Sequence, residues 1–575
     1  MTRSPQSTEN SAHHSGENLA ENSIETQGVG GRHHLGRAVS SVAQSASLVA
    51  LGTLASRVLG LLRDMLLARH FSPEVRDAFV VAFRLPNIFR RLFGEGVLSA
   101  SFLPSLVIAL TRPSAPGEAT RLVGAVFTLL LSLTTLISLF GIVFMDELMR
   151  LLLSGGSFNE VPGKFQLTVD LARIMFGFVA LVSMYAFFMA VLNSLHRFAL
   201  AALAPCLFNL SLIIAILGFR GQAQAERALA WSVLVGGALQ MLILVPAIRR
   251  AGHWPKLGFF WSSPQGPQPV WTLPEVQKVF AAMGPSLLGL GVLQVMTVLN
   301  VVFASRLPQG AHTAIYLADR LFELPLSLIA VSVGSAMLPT LSGQWAAGDT
   351  ASMTATLRRG LRFVLFLALP SAVGLFVLAE PITEVLFQGR EFRYADVLMT
   401  SEVIRVSAIG LVMAAVVKLL AQGFFAVGNT WFPALAGVVT LACHAVFAWA
   451  GTRSLGLLGL TAATVLSSLV NAVLLGLAYS KWVGPLEWRQ TVGLVLKLAL
   501  ACGALAAGCL IYEPLVLEFG SRFLTRSVAL TASIFLASGL YFAATAILRV
   551  PELGEFALRA RELVTARRRR SASVQ

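Results

Sequence analysis

Along this chain apolar residues do not recur as a stripe on one helix face; they fill runs of twenty or more positions, separated by short polar stretches. About 20 mostly apolar residues are enough for a helix to cross the hydrocarbon core of a bilayer. The pattern predicts about fourteen spans: 43–69, 77–110, 122–153, 167–194, 199–219, 228–248, 276–304, 313–342, 357–384, 397–427, 432–450, 457–480, 490–512 and 527–548. Nothing between them is long enough for a separate soluble domain, and the ten-residue alternation of an outer-membrane barrel is missing. The expected fold class is an all-α polytopic membrane protein.

Composition agrees. Hydrophobic residues make up 56% and charged residues 13%, with a mean hydropathy of +0.74, against about 25% charged residues in soluble domains. Residues 1–40 are rich in Ser, Asn, Glu, Gly and His without an apolar centre, so disorder is expected there; His13, His14, His33 and His34 read as flexible tail rather than a metal site. The segment also lacks the basic, apolar and cleavage regions of a signal peptide. All four cysteines, Cys206, Cys443, Cys502 and Cys509, fall inside predicted spans, which does not suit a disulfide framework.

An even number of spans puts both termini on one side, and the tail RARELVTARRRR (559–570) marks that side as cytoplasmic by the positive-inside rule. The same topology places Arg112, Arg121, Arg197, Arg249, Arg250, Lys256, Arg358, Arg359, Lys481 and Arg489 inside, and the acid-richer loops with Glu74, Glu160, Glu226, Glu391, Glu513 and Glu518 outside. The net charge of +15 is therefore an orientation signal and a contact with anionic lipid heads. Without interleaved aromatics, the basic tail does not point to nucleic acid.

The chain also resembles itself. SASFLPSL (Ser99 to Leu106) matches GSAMLPTL (Gly334 to Leu341), with prolines 235 positions apart, and LNSLHRFALAALAP (Leu192 to Pro205) matches LAQGFFAVGNTWFP (Leu420 to Pro433), with prolines 228 apart. This predicts two pseudo-symmetric six-helix lobes and a final helix pair: N-lobe 41–250, C-lobe 251–484, pair 485–550 and basic tail 551–575. Two lobes in the same orientation around a shared cavity suit alternating access.

The spans carry charge where lipid would penalise it. Arg57 lies near the middle of span 1, roughly 20 Å of helix from its inner end, too far to snorkel. Asp64 falls within about 20° of the same face and Arg63 about 120° away, so the helix shows charge over a broad face, as the wall of a wet cavity does. Arg69, at the outer end, reads as a snorkelling anchor. Span 2 holds Asp77, Arg84, Arg90, Arg91 and Glu95 among the breakers Pro86, Gly94, Gly96 and Pro104, and span 8 adds Asp319, Arg320, Glu323 and Pro325. Irregular backbone at such depth is tolerated where it lines a cavity, and an unpaired charge there costs at least about 2.5–3.5 kcal/mol. Arginine favours planar, bidentate recognition of phosphate or carboxylate. The expectation is an anionic substrate held by Arg57, Arg63, Arg90 and Arg320, with Asp64, Asp77, Glu95, Asp319 and Glu323 as supporting charges.

Three stretches in order, ASRVLGLLRDMLLARHF, DAFVVAFRLPNIFRRLFGEGVLSASFLPSL and YLADRLFELPLSLIAVSVGSAMLPTLS, resemble the MurJ (MviN) family, lipid II flippases of the MOP exporter superfamily, with weaker similarity from about residue 41 to 550. The resemblance implies a fourteen-helix fold around a cationic cavity, with the last helix pair forming a groove for a polyprenyl tail. It further implies that lipid II, an undecaprenyl-pyrophosphate-linked precursor of peptidoglycan, is carried from the cytoplasmic to the periplasmic leaflet of the bacterial inner membrane. It carries functional arginines onto Arg57, Arg63, Arg90 and Arg320 and acidic positions onto Asp77 and Glu323, and leaves room for contact with the cell-wall synthesis machinery.

The chain departs from the family in its polar N-terminal extension. Spans 7 and 11 also hold no Asp or Glu, and His444 sits mid-span, which argues against a sodium site built on second-lobe carboxylates. An exporter of another polyprenyl-linked oligosaccharide is the nearest alternative. A membrane transferase would need clustered acid/base or metal residues; no HExxH and no Asp-rich metal pattern occurs, so no cofactor or metal is expected.

Overall fold

The computed structural model describes residues 49, 51–111, 117–153, 158–263, 266–520 and 522–558. The expected disorder of 1–40, with its four histidines, and the basic run of 559–570 lie outside the described residues.

The first helix, α1 (51–70), ends before Pro73, and that proline opens α2 (Pro73–Phe89), where its missing N–H leaves no donor unpaired. Inside α2, Pro86 weakens the hydrogen-bond ladder, and the helix passes into a wide π-helical segment, Arg90–Val97, before resuming as α3 (Leu98–Thr111). There follow α4 (Glu118–Val143), α5 (Met145–Leu152), α6 (Lys164–Met175), α7 (Phe178–Ser194), α8 (Ala199–Phe219), α9 (Ala225–Leu242) and α10 (Val245–Arg250).

The second part of the chain repeats the irregular opening. A long α11 (Pro274–Ala304) precedes α12 (Ala311–Leu326), whose Pro325 again leads into a π-helical segment, Ser327–Val331, and then α13 (Ser332–Ala346). Next come α14 (Thr350–Val377), α15 (Ala379–Phe387), α16 (Tyr394–Ala426) and α17 (Trp431–Trp482), then α18 (Trp488–Cys509), α19 (Tyr512–Phe519) and α20 (Phe523–Ile547).

Among the described residues, ten helical stretches are long and apolar enough to cross a membrane. One of them, α17, is two expected spans, 432–450 and 457–480, joined across the non-helical Gly456. The remaining three expected spans fail the same test for visible reasons. Span 1 is charged and begins among undescribed residues, span 2 is broken by its π segment, and span 7 is described without interruption only over Gly291–Ala304. Large side chains such as Leu136, Ile214, Leu477 and Phe535 stand exposed around the molecule, which water would not tolerate over such an area and lipid favours.

The all-α expectation missed one element. Between α10 and α11, β1 (Phe260–Ser263) pairs antiparallel with β2 (Gly266–Pro269). Its Ser, Pro and Gly residues have no apolar alternation to announce a strand.

Packing divides the interior into separate cores. Phe83, Phe102, Phe127, Phe178, Phe187 and Phe208 form linked ring contacts at 5.1–6.0 Å in the first part of the chain. Leu341, Leu357, Leu419, Phe424 and Tyr479 unite α13, α14, α16 and α17, while Phe366, Leu498 and Tyr541 seat α18 and α20 on α14. A smaller cluster with Ala68, Val80, Leu317, Leu321, Phe387 and Ile404 joins α1 and α2 to α12, α15 and α16. That seam is where the charged residues gather.

Candidate functional site

At the seam, α2 faces α12. Arg84 and Asn87 of α2 and Arg91 at the start of its π segment are spaced by three and four residues and so line one face, while Tyr316, Asp319, Arg320 and Glu323 share the opposing face of α12. With Val80 and Phe83 these residues line a recess of about 330 Å³. Arg84 also borders a second hollow of about 230 Å³ against Thr297, Val298 and Val301 of α11.

The ion pairs around the recess fall into two kinds. Loose pairs cross it, Arg91 to Glu323 at 3.1 Å and Arg84 to Asp319 at 3.8 Å, and Arg320 pairs with Glu323 along α12 at 3.7 Å, with Asp319 52% and Glu323 45% exposed. The other kind is closed. Arg63 and Asp64, on α1, meet at 2.6 Å with 7% and 1% exposure. Arg63 also donates to Asn209 of α8 at 3.0 Å and to the Tyr316 hydroxyl at 2.9 Å. Tyr316 in turn donates to Asp64 at 3.1 Å and accepts from Arg320 at 3.0 Å, and the Arg320 guanidinium lies 4.8 Å above the Tyr316 ring.

The expected residues separate accordingly. Of the four arginines expected to bind substrate, only Arg320 lines the recess. Arg63 is buried one hydrogen bond behind it; Arg57 is exposed and donates to Ser327 Oγ at 2.6 Å, where α12 gives way to its π segment. Arg90 donates to Asn87 at 2.8 Å. Asp319 and Glu323 stand in the recess and Asp64 behind it. The Glu95 side chain lies outside the described residues.

Asp77 is not with the arginines. Buried at the N-terminal end of α2, it accepts from Lys164 of α6 at 2.9 Å and caps the start of α12, taking bonds from Gly310 N at 2.8 Å, Thr313 N at 3.0 Å and Thr313 Oγ1 at 2.7 Å. Helix N-termini favour such a carboxylate. Other ties surround it: Arg76 to Asp396 at 3.0 Å, Gln309 to Glu74 at 2.5 Å, and Phe158 N to Ser305 O at 3.2 Å. Arg69 is no free lipid anchor either; it donates to Val385 O at 2.7 Å and lies over Phe523 at 5.0 Å, holding α1 to α15 and α20.

Arg84, Arg91, Tyr316 and Asn209 were not singled out from the sequence as site residues. The seven-residue spacing of Arg84 and Arg91 was a usable signal. Asn209 carried none, since its partners Arg63 and Ser56 lie more than a hundred positions away, and of the partners of Tyr316 only Arg320, one turn on, is near in sequence. The mid-span His444 is fully buried; its Nε2 lies 2.8 Å from Asn300 Oδ1 and its Nδ1 3.4 Å from Ser467 Oγ, tying α11 to both arms of α17. Among the described residues no group of three or more His, Cys, Asp or Glu side chains could hold a metal ion.

Residues 71–529 match the family model described as lipid II flippase MurJ. A probable lipid II flippase MurJ of Bdellovibrio bacteriovorus is 40% identical over 502 residues, covering 87% of this chain and 94% of that one. The lipid II flippase MurJ of Burkholderia cenocepacia is 34% identical, over 75% of this chain and 82% of its own. Among solved structures, a lipid II flippase MurJ in an inward closed conformation aligns with a TM-score of 0.70 at 21% identity, over 87% of this chain and 99% of that one. An inward-facing multidrug resistance MATE family transporter of the MOP superfamily aligns at 0.63 and 14% identity, over 75% and 95%. At such identities these two likenesses speak for the fold alone.

Proposed function

The chain belongs to the lipid II flippase MurJ family, whose members are transporters and not enzymes, and on that premise we propose that it carries lipid II across the inner membrane by alternating access through the recess between α2 and α12. The observation that carries this reading is the meeting of Arg84 and Arg91 from one helix with Arg320 from another around a shared space. A pyrophosphate presents several oxygens to such a set, and guanidinium groups bind them in pairs.

The two kinds of ion pair divide the labour. Asp319 and Glu323 reach into the recess, so an incoming diphosphate that offers the arginines new partners displaces them more readily than it opens the closed Arg63–Asp64 pair. Breaking a buried pair costs about 3–5 kcal/mol, so Arg63 and Asp64 stay closed and hold Tyr316, which aims Arg320. Arg57 and Arg90 flank the recess and meet the headgroup as it passes. Asp77 with its neighbours closes the outer end and must let go of α12 for the site to open there.

The reading extends to the whole chain. Fourteen helices form two six-helix lobes and a final pair, α18 and α20, whose groove takes the polyprenyl tail. Both termini are cytoplasmic, and the outer end of α2 faces the periplasm, where the cell-wall synthesis machinery receives the product. The test is to deplete a cell of its own flippase, express this chain, and follow lipid II in the outer leaflet. The parent restores export, and Arg84→Ala, Arg91→Ala and Arg320→Ala reduce it. A parent without export removes the function; three fully active variants remove the mechanism.

A further inference from the structure

The connection between α10 and α11 does work that the transport mechanism leaves unused. It packs inward through Val270 and Leu273, both buried, and Gly258 N donates to Thr128 Oγ1 of α4 at 3.2 Å, while Trp254 makes a tilted ring contact with Phe188 of α7, centroids 6.0 Å apart. These contacts fix its depth. Arg121, bridged to Glu275 at the start of α11 at 2.5 Å, marks the polar end of α4, and Thr128 lies seven residues further in, about 10 Å along the helix. Phe188 stands six residues before Ser194, the end of α7, about 9 Å in. Two independent helices therefore place the connector below the level of their own polar ends.

Its outward side at that depth is apolar. Leu257 is 67% exposed, Phe260 61%, Trp271 50% and Phe259 49%, and Phe260 meets Trp271 edge-on with centroids 6.3 Å apart. Backbone polar groups, the usual objection to non-helical chain near lipid, are managed. β1 and β2 pair with each other, Val270 N donates to Phe259 O at 2.9 Å, and Pro267 and Pro269 on β2 have no N–H to leave unpaired. Exposed Arg249, Arg250 and Lys256 stand beside the patch, with Arg249 4.6 Å above the Trp254 ring. Aromatic residues backed by basic ones are the composition of a membrane–water interface.

We propose that Leu257, Phe259, Phe260 and Trp271 form an interfacial anchor. They insert at the boundary between headgroups and acyl chains of the leaflet on the Arg121 side, and Arg249, Arg250 and Lys256 meet its phosphates. The occupant of the patch is the bilayer. The anchor pins the start of α11, the helix that packs on both α3 and α17.

A nitroxide attached to Leu257→Cys or Phe260→Cys tests this in the full chain, with the four native cysteines replaced and the protein in vesicles of zwitterionic and anionic phospholipid. Collisions with oxygen exceed those with a water-soluble nickel chelate, as at the lipid-facing control Leu136→Cys, and the order reverses at the loop control Gly252→Cys. Nickel access at 257 and 260 equal to that at 252 overturns the proposal, as does spin–spin broadening that grows with protein density and so assigns the patch to a second copy. Should the cysteine-free chain not fold, the same substitutions in the native-cysteine chain are labelled with a maleimide. A thiol in lipid reacts at least tenfold more slowly than Gly252→Cys over the parent baseline, and equal rates overturn the anchor.

Discussion

Tyr316 uses every hydrogen-bonding position of its hydroxyl: one proton given to Asp64, two lone pairs taken by Arg63 and Arg320. Tyr316→Phe therefore leaves two guanidinium groups short of an acceptor and lets Arg320 swing. Transport falls severalfold while the folded protein persists, read by pairing a flipping assay with thermal unfolding in detergent. Asp64→Asn acts differently, because it strands the buried Arg63 charge. It should cost about 3–5 kcal/mol and appear as lost folded protein before any transport defect is measured. At this scale the sequence was readable for charge and blind to pairing. Arg63, Asp64, Arg320 and Glu323 were evident as ionisable groups in apolar runs, yet nothing in the order of residues joins Lys164 to Asp77 or Asn209 to Arg63.

Among the elements, two turns invite comparison. Between α7 and α8 the chain closes with Arg197 N on Leu192 O and His196 at φ 58°; between α16 and α17 it closes with Asn429 N on Phe424 O and Gly428 at φ 74°. The two closures are alike, but they correspond four residues away from the register in which the prolines align, one helical turn that letter matching could not resolve. A side chain in the left-handed region costs about 1–2 kcal/mol. His196→Gly should thus leave stability unchanged or raised. Gly428→Ala, with open space around its missing Cβ, should lower it by about 1 kcal/mol through conformation alone; paired thermal melts check both. Irregular backbone was legible in part: the prolines and glycines of span 2 announced a break, and both Pro86 and Pro325 precede a π segment. The β-hairpin was not, since a short ribbon stabilised by packing on α4 leaves no periodic trace.

For the whole molecule, beside the pairs of the recess, a second group of ties from the first part of the chain to α12, α15 and α16 gathers at the Pro73 end of α2, the end proposed above to face the periplasm. The described ion pair joining α4 to α11, Arg121 to Glu275, stands at the other end. The proposed cycle requires the outer set to break together. Asp77→Ala combined with Lys164→Met removes the cap of α12 without stranding the buried ammonium of Lys164, so the outer end should open. A thiol placed at Val80, now 4% exposed, should then react severalfold faster with a membrane-impermeant maleimide added on the Glu74 side. The polytopic class was legible from run length alone, because twenty apolar residues have few other uses. Whether runs are straight, merged or broken depends on single prolines, glycines and neighbours, which is why span limits shifted at α2 and α17.

The central claim is that cations from facing helices jointly hold the diphosphate of the substrate, and equilibrium binding of lipid II to the purified protein tests it most directly. Arg84→Ala and Arg320→Ala should each weaken binding about tenfold, roughly 1.4 kcal/mol, and the double variant more than either. Unchanged affinity in the folded double variant would contradict the account.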